Sequence, residues 1–305
     1  MNAYLKNEGV FLMRVSRRAF LLSTAATAAA ALPWQAQAAP PRLRQDWHSH
    51  THRHGGKDNA ILKDMVEKNA RYGMKLYGIS DHIDRRDERE SFAAMIAANR
   101  EELAATEVPT GMRVMIGTEA SMISPTLCCL EEDIAQELDY VMVSCNHYHL
   151  KHVENPAQAT AEAYAHHYLD MLQGAIDLGF VDTIGHPFYH QKLQKKLGDE
   201  TLHAILKAYP EDRLTQVLKN AAAVHMAFEI NPHHANLALD WFRELVQEVR
   251  IHGGKFTLGT DAHDLESLCY PPRNDRAPET IVAELGITDD DLKWTAKLGP
   301  KANKV

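Results

Sequence analysis

Leu76-Tyr77-Gly78-Ile79-Ser80-Asp81-His82 (LYGISDH, residues 76–82) is a short apolar run that ends on a carboxylate and an imidazole. Apolar residues on both faces of so short a run describe a strand buried on both sides, as strands of parallel sheets are. The pattern recurs along the chain. Similar runs are Gln45–His48, RVMIGTE 113–119, YVMVSCN 140–146, VDTIG 181–185, MAFEIN 226–231 and KFTLGTD 255–261. Stretches of helical period separate them, at 58–72, 89–106, 128–138, 157–179, 199–223 and 237–252, and a helical tail is expected over 278–298. Strands alternating with helices predict parallel βαβ units. Pro109 and Gly111 suit a helix-to-strand turn, and Gly253-Gly254 suits a helix C-terminus. No linker or low-complexity segment divides the pattern. The expected fold class is α/β, a single closed or nearly closed barrel of about seven strands.

Each apolar run finishes on a residue type that binds metals. The ends are His48-x-His50, Asp81-His82, Gly117-Thr118-Glu119, a fourth that runs into His147, Gly185-His186-Pro187, Glu229-Ile230-Asn231 and Asp261-Ala262-His263. In parallel α/β barrels the C-terminal strand ends converge on one mouth. Residues two apart on a strand point the same way, so His48 and His50 can grip one ion and Asp261 and His263 can face the same pocket. A lone histidine at a strand end usually reads as a hydrogen-bonded core or surface residue. Recurrence at nearly every strand favours a multinuclear metal site. Imidazole and carboxylate without a clear thiolate suit two or three divalent ions of zinc, manganese or iron.

Bulk properties narrow the function. The 305 residues include 18 histidines and carry a net charge of −8 with histidine neutral. An acidic chain argues against nucleic acid or an anionic membrane as the main partner. Cys128, Cys129, Cys145 and Cys269 form no CxxC pair, so neither a zinc ribbon nor a thioredoxin motif is supported, and no obligatory disulfide is expected. Near the N-terminus, VSRRAFLLSTAATAAAALPWQAQAAP joins Arg17-Arg18 to an apolar stretch that ends at Ala36-Gln37-Ala38. This reads as a twin-arginine signal peptide over 1–38, cleaved to leave a domain over 39–305. Met13 is an alternative start. The expected partner is the twin-arginine export machinery, and the expected location is periplasmic or secreted. The apolar run is too short and too rich in alanine and threonine for a membrane span, so no stable insertion of the mature chain is expected.

The motifs DWHSH 46–50, GISDH 78–82, GTE 117–119, VSCNH 143–147, DTIGHP 182–187 and GTDAH 259–263 resemble those of the polymerase and histidinol phosphatase (PHP) superfamily. The resemblance runs from about residue 46 to 270. It implies a distorted, TIM-like (β/α)7 barrel with a two- or three-metal site that hydrolyses phosphate esters. By this resemblance His48, His50, Glu119 and Asp261 hold one metal. Glu119 bridges to a second, held also by His147 and His186. His82 and His263 hold a third, with one more ligand from the loop after the first strand. The sequence departs from the family there, with Gly55 and Gly56 where an Asp or His is usual. His54 is favoured for that place, with His52 and Asp58 as alternatives.

The leading expectation is a phosphoric ester hydrolase acting on a small phosphomonoester through metal-activated water, with Glu119, Asp261 and His263 at its centre. Arg53, Arg85, His149 and His190 are candidate substrate contacts, with Arg86, Lys151, His152 and His233 as further loop candidates. Mixed charge around Arg85 and Arg86 also reads as a solvated helix start. Glu229 and Asn231 are assigned to orienting ligands or the barrel rim, and His166 and His167 to the surface. Two alternatives stand. One is an amidohydrolase-type enzyme for an amide or lactone, although Cys145-Asn146-His147 offers no lysine for the bridging role. The other is a non-catalytic exported metal-binding module.

Overall fold

The computed structural model describes residues 42–297 apart from positions 199 and 274. The expected signal peptide and the last position of the expected helical tail lie outside the described residues. Seven parallel strands form the wall in the order β1 (Gln45–Asp46), β2 (Leu76–Ile79), β4 (Arg113–Ser124), β6 (Tyr140–Ser144), β7 (Thr183–Ile184), β8 (Ala227–Ile230) and β9 (Phe256–Leu258). Two short strands decorate β4. The first, β3 (His82–Ile83), runs parallel to its upper half, and β5 (Leu127–Cys128) folds back on it antiparallel. The bridge between Ser49 and Ala262 nearly closes the sheet. Trp47 N–H donates to the Leu258 carbonyl at 2.8 Å, and His50 N–H to the Ala262 carbonyl at 2.8 Å. The (β/α)7 expectation therefore matches the wall, strand for strand.

The helices are α1 (Leu62–Tyr72), α2 (Arg89–Ala104), α3 (Glu132–Ala135), α4 (Ala161–Asp177), α5 (Gln194–Leu197), α6 (Thr201–Ala208), α7 (Glu211–Ala223), α8 (Pro232–Asn236), α9 (Leu239–Ile251) and α10 (Pro278–Glu284). Several boundaries differ from the sequence expectation for local reasons. The stretch 128–138 gives part of its start to β5 and keeps only α3 as helix. The stretch 199–223 breaks into α6 and α7 at Pro210, which has no N–H to donate. Thr160 caps α4, its hydroxyl accepting from Ala163 N–H at 3.2 Å, so the helix begins later than periodicity suggested. The tail is helical only over α10, with a single 3-10 turn at Asp289–Asp291. No helix of the described residues is long and apolar enough to cross a membrane.

Strand pleating sorts side chains into two layers. On β4, Ile116 and Ala120 join the outer core between sheet and helices. Met115 packs with Trp47, Leu76, Tyr140 and Met142 in a separate cluster. Position 117, on Met115's face of the strand, is glycine by necessity. A β-carbon there would come within 2.4 Å of the Tyr140 ring, closer than real atoms approach. That face of β4 next presents Glu119 and then Ser121.

Candidate metal centre

Glu119 is 1% exposed and lies among five imidazoles. One carboxylate oxygen, Oε2, faces His48 Nε2 at 3.1 Å, His82 Nδ1 at 3.2 Å and His50 Nε2 at 3.5 Å. The other, Oε1, faces His186 Nε2 at 2.9 Å and His147 Nε2 at 3.2 Å. Ser144 donates its hydroxyl to Oε1. Register explains part of this gathering, because Glu119 sits opposite His82 of β3 and Met142 of β6. Burial pushes the Glu119 carboxyl up, but the imidazoles of His48, His82, His186 and His147 outweigh it and hold the group well below the usual carboxylate range.

Asp261 completes the floor of the mouth. Its Oδ1 lies 3.3 Å from His50 Nε2 and 3.4 Å from His48 Nε2. Asp261 has φ 54° and His186 has φ 28°. Positive φ is uncommon for residues with a β-carbon, and here it occurs where strand ends turn side chains into the mouth. His263 approaches through its ring, 4.4 Å from that of His50 between centroids.

The donor atoms fall into three groups, each spanning no more than 4.8 Å: His48, His50, Glu119 and Asp261; Glu119, His147 and His186; and His50, His82 and His263. Ligands about 2.0–2.2 Å from a common ion stand at such separations. Four buried ring nitrogens of these residues, His50 Nδ1 and Nε2, His82 Nδ1 and His186 Nδ1, make no hydrogen bond among the described residues, although His50 Nε2 and His82 Nδ1 face Asp261 and Glu119 at 3.3 and 3.2 Å. Buried polar atoms are rarely left so. The residues present therefore fit divalent ions on geometry, donor chemistry and unsatisfied valence.

Outer contacts orient the imidazoles. Glu229 Oε1 faces His48 Nδ1 at 3.0 Å, and Glu229 Oε2 accepts from the His186 backbone N–H. Gly259 leaves room for this, since a β-carbon there would fall 1.8 Å from Glu229 Oε1. His147 Nδ1 meets the Ser121 hydroxyl at 2.7 Å, and Ser121 Oγ meets Asp84 Oδ1 at 2.6 Å. With one ring nitrogen engaged, the other is aimed at the centre, the arrangement that fixes a metal-binding histidine. Asn231 accepts from His233 N–H at 3.0 Å and donates to the Thr260 carbonyl at 3.1 Å, tying α8 to the strand end before Asp261.

Other sequence-nominated residues stand elsewhere. His54 lies beside His82, with ring centroids 5.8 Å apart, but outside the three groups. His50 fills the place beside His82 and His263. His52 and Asp58 are exposed. The Asp81 carboxylate turns from the mouth and accepts from Thr51 N–H at 2.6 Å and from Asn99 Nδ2 at 2.7 Å. Arg53 pairs with Glu102 at 2.7 Å, Arg85 holds Asp87 through two hydrogen bonds, and Arg86 pairs with Glu131 at 3.1 Å. Each of these guanidinium groups is thus committed to a neighbouring acid. His190, expected to touch substrate, is 1% exposed, bonds the Tyr209 hydroxyl at 2.6 Å and packs edge-on against Tyr168. Burial pushes its pKa down to about 3. His149 does stand at the mouth, its ring 5.3 Å from that of His147. Burial and the Lys192 ammonium push the His149 pKa down to about 4.

Sequence reasoning did not nominate Asp84, Ser121, Ser144, Lys192 or His234. Ser121 and Ser144 had a signal, because both lie on the inward face of strands already read as ligand-bearing. His234 is next to His233, which was nominated.

A search of curated protein sequences finds no match. Among solved structures, the chain is similar to histidinol phosphate phosphatase from Lactococcus lactis subsp. lactis Il1403, solved with zinc, L-histidinol and phosphate. The TM-score is 0.53 and the identity 16%, over 85% of this chain and 99% of that one. It is also similar to hisK from Listeria monocytogenes, with a TM-score of 0.53 and 15% identity, over 73% of this chain and 97% of that one. At these identities the likeness shows a shared fold. The PHP domain family model matches residues 46–233, more than half of the chain. The chain belongs to the PHP domain family.

Proposed function

We propose that the chain is a metal-dependent phosphoesterase that hydrolyses a small phosphomonoester with two or three divalent ions. The observation that carries this reading is the division of Glu119. Its Oε2 serves His48, His50 and His82, while its Oε1 serves His147 and His186. A buried carboxylate shared in this way is suited to bridge two cations. His48, His50, Glu119 and Asp261 would hold one, and Glu119, His147 and His186 the second. His82 and His263, with His50, would hold a third. The donor set suits zinc, manganese or iron, and zinc is the ion bound by the Lactococcus lactis enzyme. Bound there, such ions supply activated water and neutralise charge on phosphoryl oxygens.

The chain's own residues do the rest. Glu229 and the Ser121–Asp84 pair hold His48 and His147 in one orientation, so the donors need not reorganise when substrate arrives. Burial of Glu119 and His48 excludes bulk water and strengthens every charge interaction at the centre. His149 stands beside His147, its ring 5.3 Å away, and the charge of the exposed Lys192 ammonium acts on both. We place the signal peptide at 1–38, the phosphoesterase domain at 39–305 and the enzyme in the periplasm or outside the cell, on the strength of Arg17-Arg18 and the Ala36-Gln37-Ala38 site.

The test is metal analysis of the purified protein together with turnover of p-nitrophenyl phosphate, nucleotides and sugar phosphates. At least two ions per chain and phosphate release are expected. Metal with lactone or amide turnover and no phosphate release would replace this reading with an amidohydrolase. Metal with no turnover at all would leave a binding module.

A further inference from the structure

His234 is used by nothing assigned so far. It stands on α8, just past the β8 strand end. Its ring is stacked on Tyr189, with centroids 3.8 Å apart and planes 6° apart. Its edge meets His186, a donor of the Glu119 centre, at 6.2 Å between centroids. Its Nδ1 is buried and has no hydrogen-bond partner among the described residues, while the residue as a whole is half-buried. The charged and titratable groups that act on it are Asp261, His186, His48 and His233. The surroundings are held firmly. Asn146 Nδ2 donates to the carbonyls of His186 and Tyr189, at 3.1 and 2.6 Å, so the Tyr189 plate is fixed to the loop that carries His147. Stacking then leaves the imidazole little freedom. Unsatisfied buried nitrogens are uncommon in folded proteins, and one beside a catalytic mouth marks a place for a ligand atom.

We propose that His234, backed by Tyr189, contacts the substrate at this centre, hydrogen-bonding an oxygen of the alcohol portion and walling the leaving-group side. This rests on the phosphoesterase reading. Assignment to the alcohol side follows from where the donor groups lie. The ions that the three donor groups would hold serve the phosphoryl oxygens, and His234 belongs to none of these groups, its ring 6.2 Å from that of His186. The Tyr189–His234 flank offers flat rings and a hydrogen-bonding nitrogen, which suit a hydroxyl-bearing carbon skeleton. The class of substrate is therefore the phosphomonoester of a hydroxyl-bearing alcohol such as a sugar.

The experiment compares wild type with His234→Ala and His234→Asn, each checked for metal content, on ribose 5-phosphate and p-nitrophenyl phosphate. Inhibition by inorganic phosphate is measured beside them. Loss of one hydrogen bond predicts that His234→Ala lowers kcat/KM on ribose 5-phosphate about 10- to 100-fold, with a smaller fall on p-nitrophenyl phosphate. His234→Asn should recover part of that loss. Metal content and phosphate inhibition should stay as in wild type. Equal losses on both esters, loss of metal, or weakened phosphate inhibition would overturn the leaving-group role. So would wild-type turnover of p-nitrophenyl phosphate with none of ribose 5-phosphate. A metal-loaded wild type inert toward every phosphate ester would instead remove the phosphoesterase reading, and this inference with it.

Discussion

Along β4, Met115 packs at one end of the barrel and Glu119 collects imidazoles at the other, on the same face of the same strand. At the Met115 end the interior is an apolar plug. The Tyr140 ring meets Trp47 edge-on at 5.2 Å, and its hydroxyl donates to the Trp47 carbonyl at 2.6 Å. At the Glu119 end the inward positions are Glu119, Ser121 and Ser144, joined by histidines from the strand-end loops. The pleat is continuous from one end to the other, so geometry alone does not separate a packing position from a chemical one. What differs is completion. The Met115 end leaves two buried polar atoms without a partner among the described residues, Trp47 Nε1 and Arg113 Nε, whereas the mouth leaves nitrogens of His50, His82, His186 and His234. The plug is finished by the chain itself. The mouth is finished by what binds there.

The sharpest way to break that contrast is Glu119→Ala. It removes the group shared by both clusters while leaving Met115 and Tyr140 untouched. Activity should fall roughly a thousandfold or more, the scale of losing several kcal/mol of charge stabilisation. Metal content should drop by more than one ion per chain, with the near-ultraviolet spectrum of the plug preserved. Wild-type metal content in that variant would end the bridging assignment. Chelation should act in the same direction on the wild type. It should lower its melting temperature and abolish turnover, and both should return on adding zinc or manganese. An unchanged melting temperature would mean that the mouth is complete without ions. A smaller effect is expected for Glu229→Gln. The amide keeps the shape but not the charge that faces His48 Nδ1 at 3.0 Å. Outer partners of this kind are worth about 10–100-fold in metal affinity, so calorimetric titration should show a weakened but intact site.

The strands were legible because each is a short run apolar on both faces, which few other elements produce. His48, His50, Glu119, His147, His186 and Asp261 stood out because each lies at or just past the end of such a run. What stayed hidden depends on closure in three dimensions. Nothing local in the sequence says that Glu229 reaches His48, or that Ser121 and Asp84 meet at His147. The shared use of His50 by two groups is equally invisible in sequence, since it follows from the first strand closing against the last. The partners of the arginines are hidden for the same reason. Arg53 and Arg86 look free in sequence, but their acids, Glu102 and Glu131, come from distant positions. The break at Pro210 was the opposite case, a signal present in the sequence and read as helix.

Disturbing the other end of the barrel supplies the converse test. Gly117→Ala places a β-carbon 2.4 Å from the Tyr140 ring, which must shift or strain the plug. Overpacking of this sort costs about 1–3 kcal/mol. Denaturant unfolding should show that loss, while the folded fraction keeps its metal. A variant that unfolds no earlier but loses metal would mean that plug and mouth are one cooperative unit and not two.

The smallest effect is expected away from both ends. His166 is exposed on α4 and meets Arg213 through a ring contact of 3.4 Å and a backbone contact of 3.3 Å. Arg213 keeps its partner Asp170 without it. Surface changes of this kind usually stay within about 0.5 kcal/mol. His166→Ala should therefore leave stability, metal content and turnover near wild type. The variant still matters, because it removes an imidazole from a chain rich in them. If total histidine number governed metal loading, one ion's worth of affinity would soften here as it does at the mouth. If position governs it, as the division of Glu119 between two sets of rings implies, the titration of His166→Ala should overlay that of the wild type.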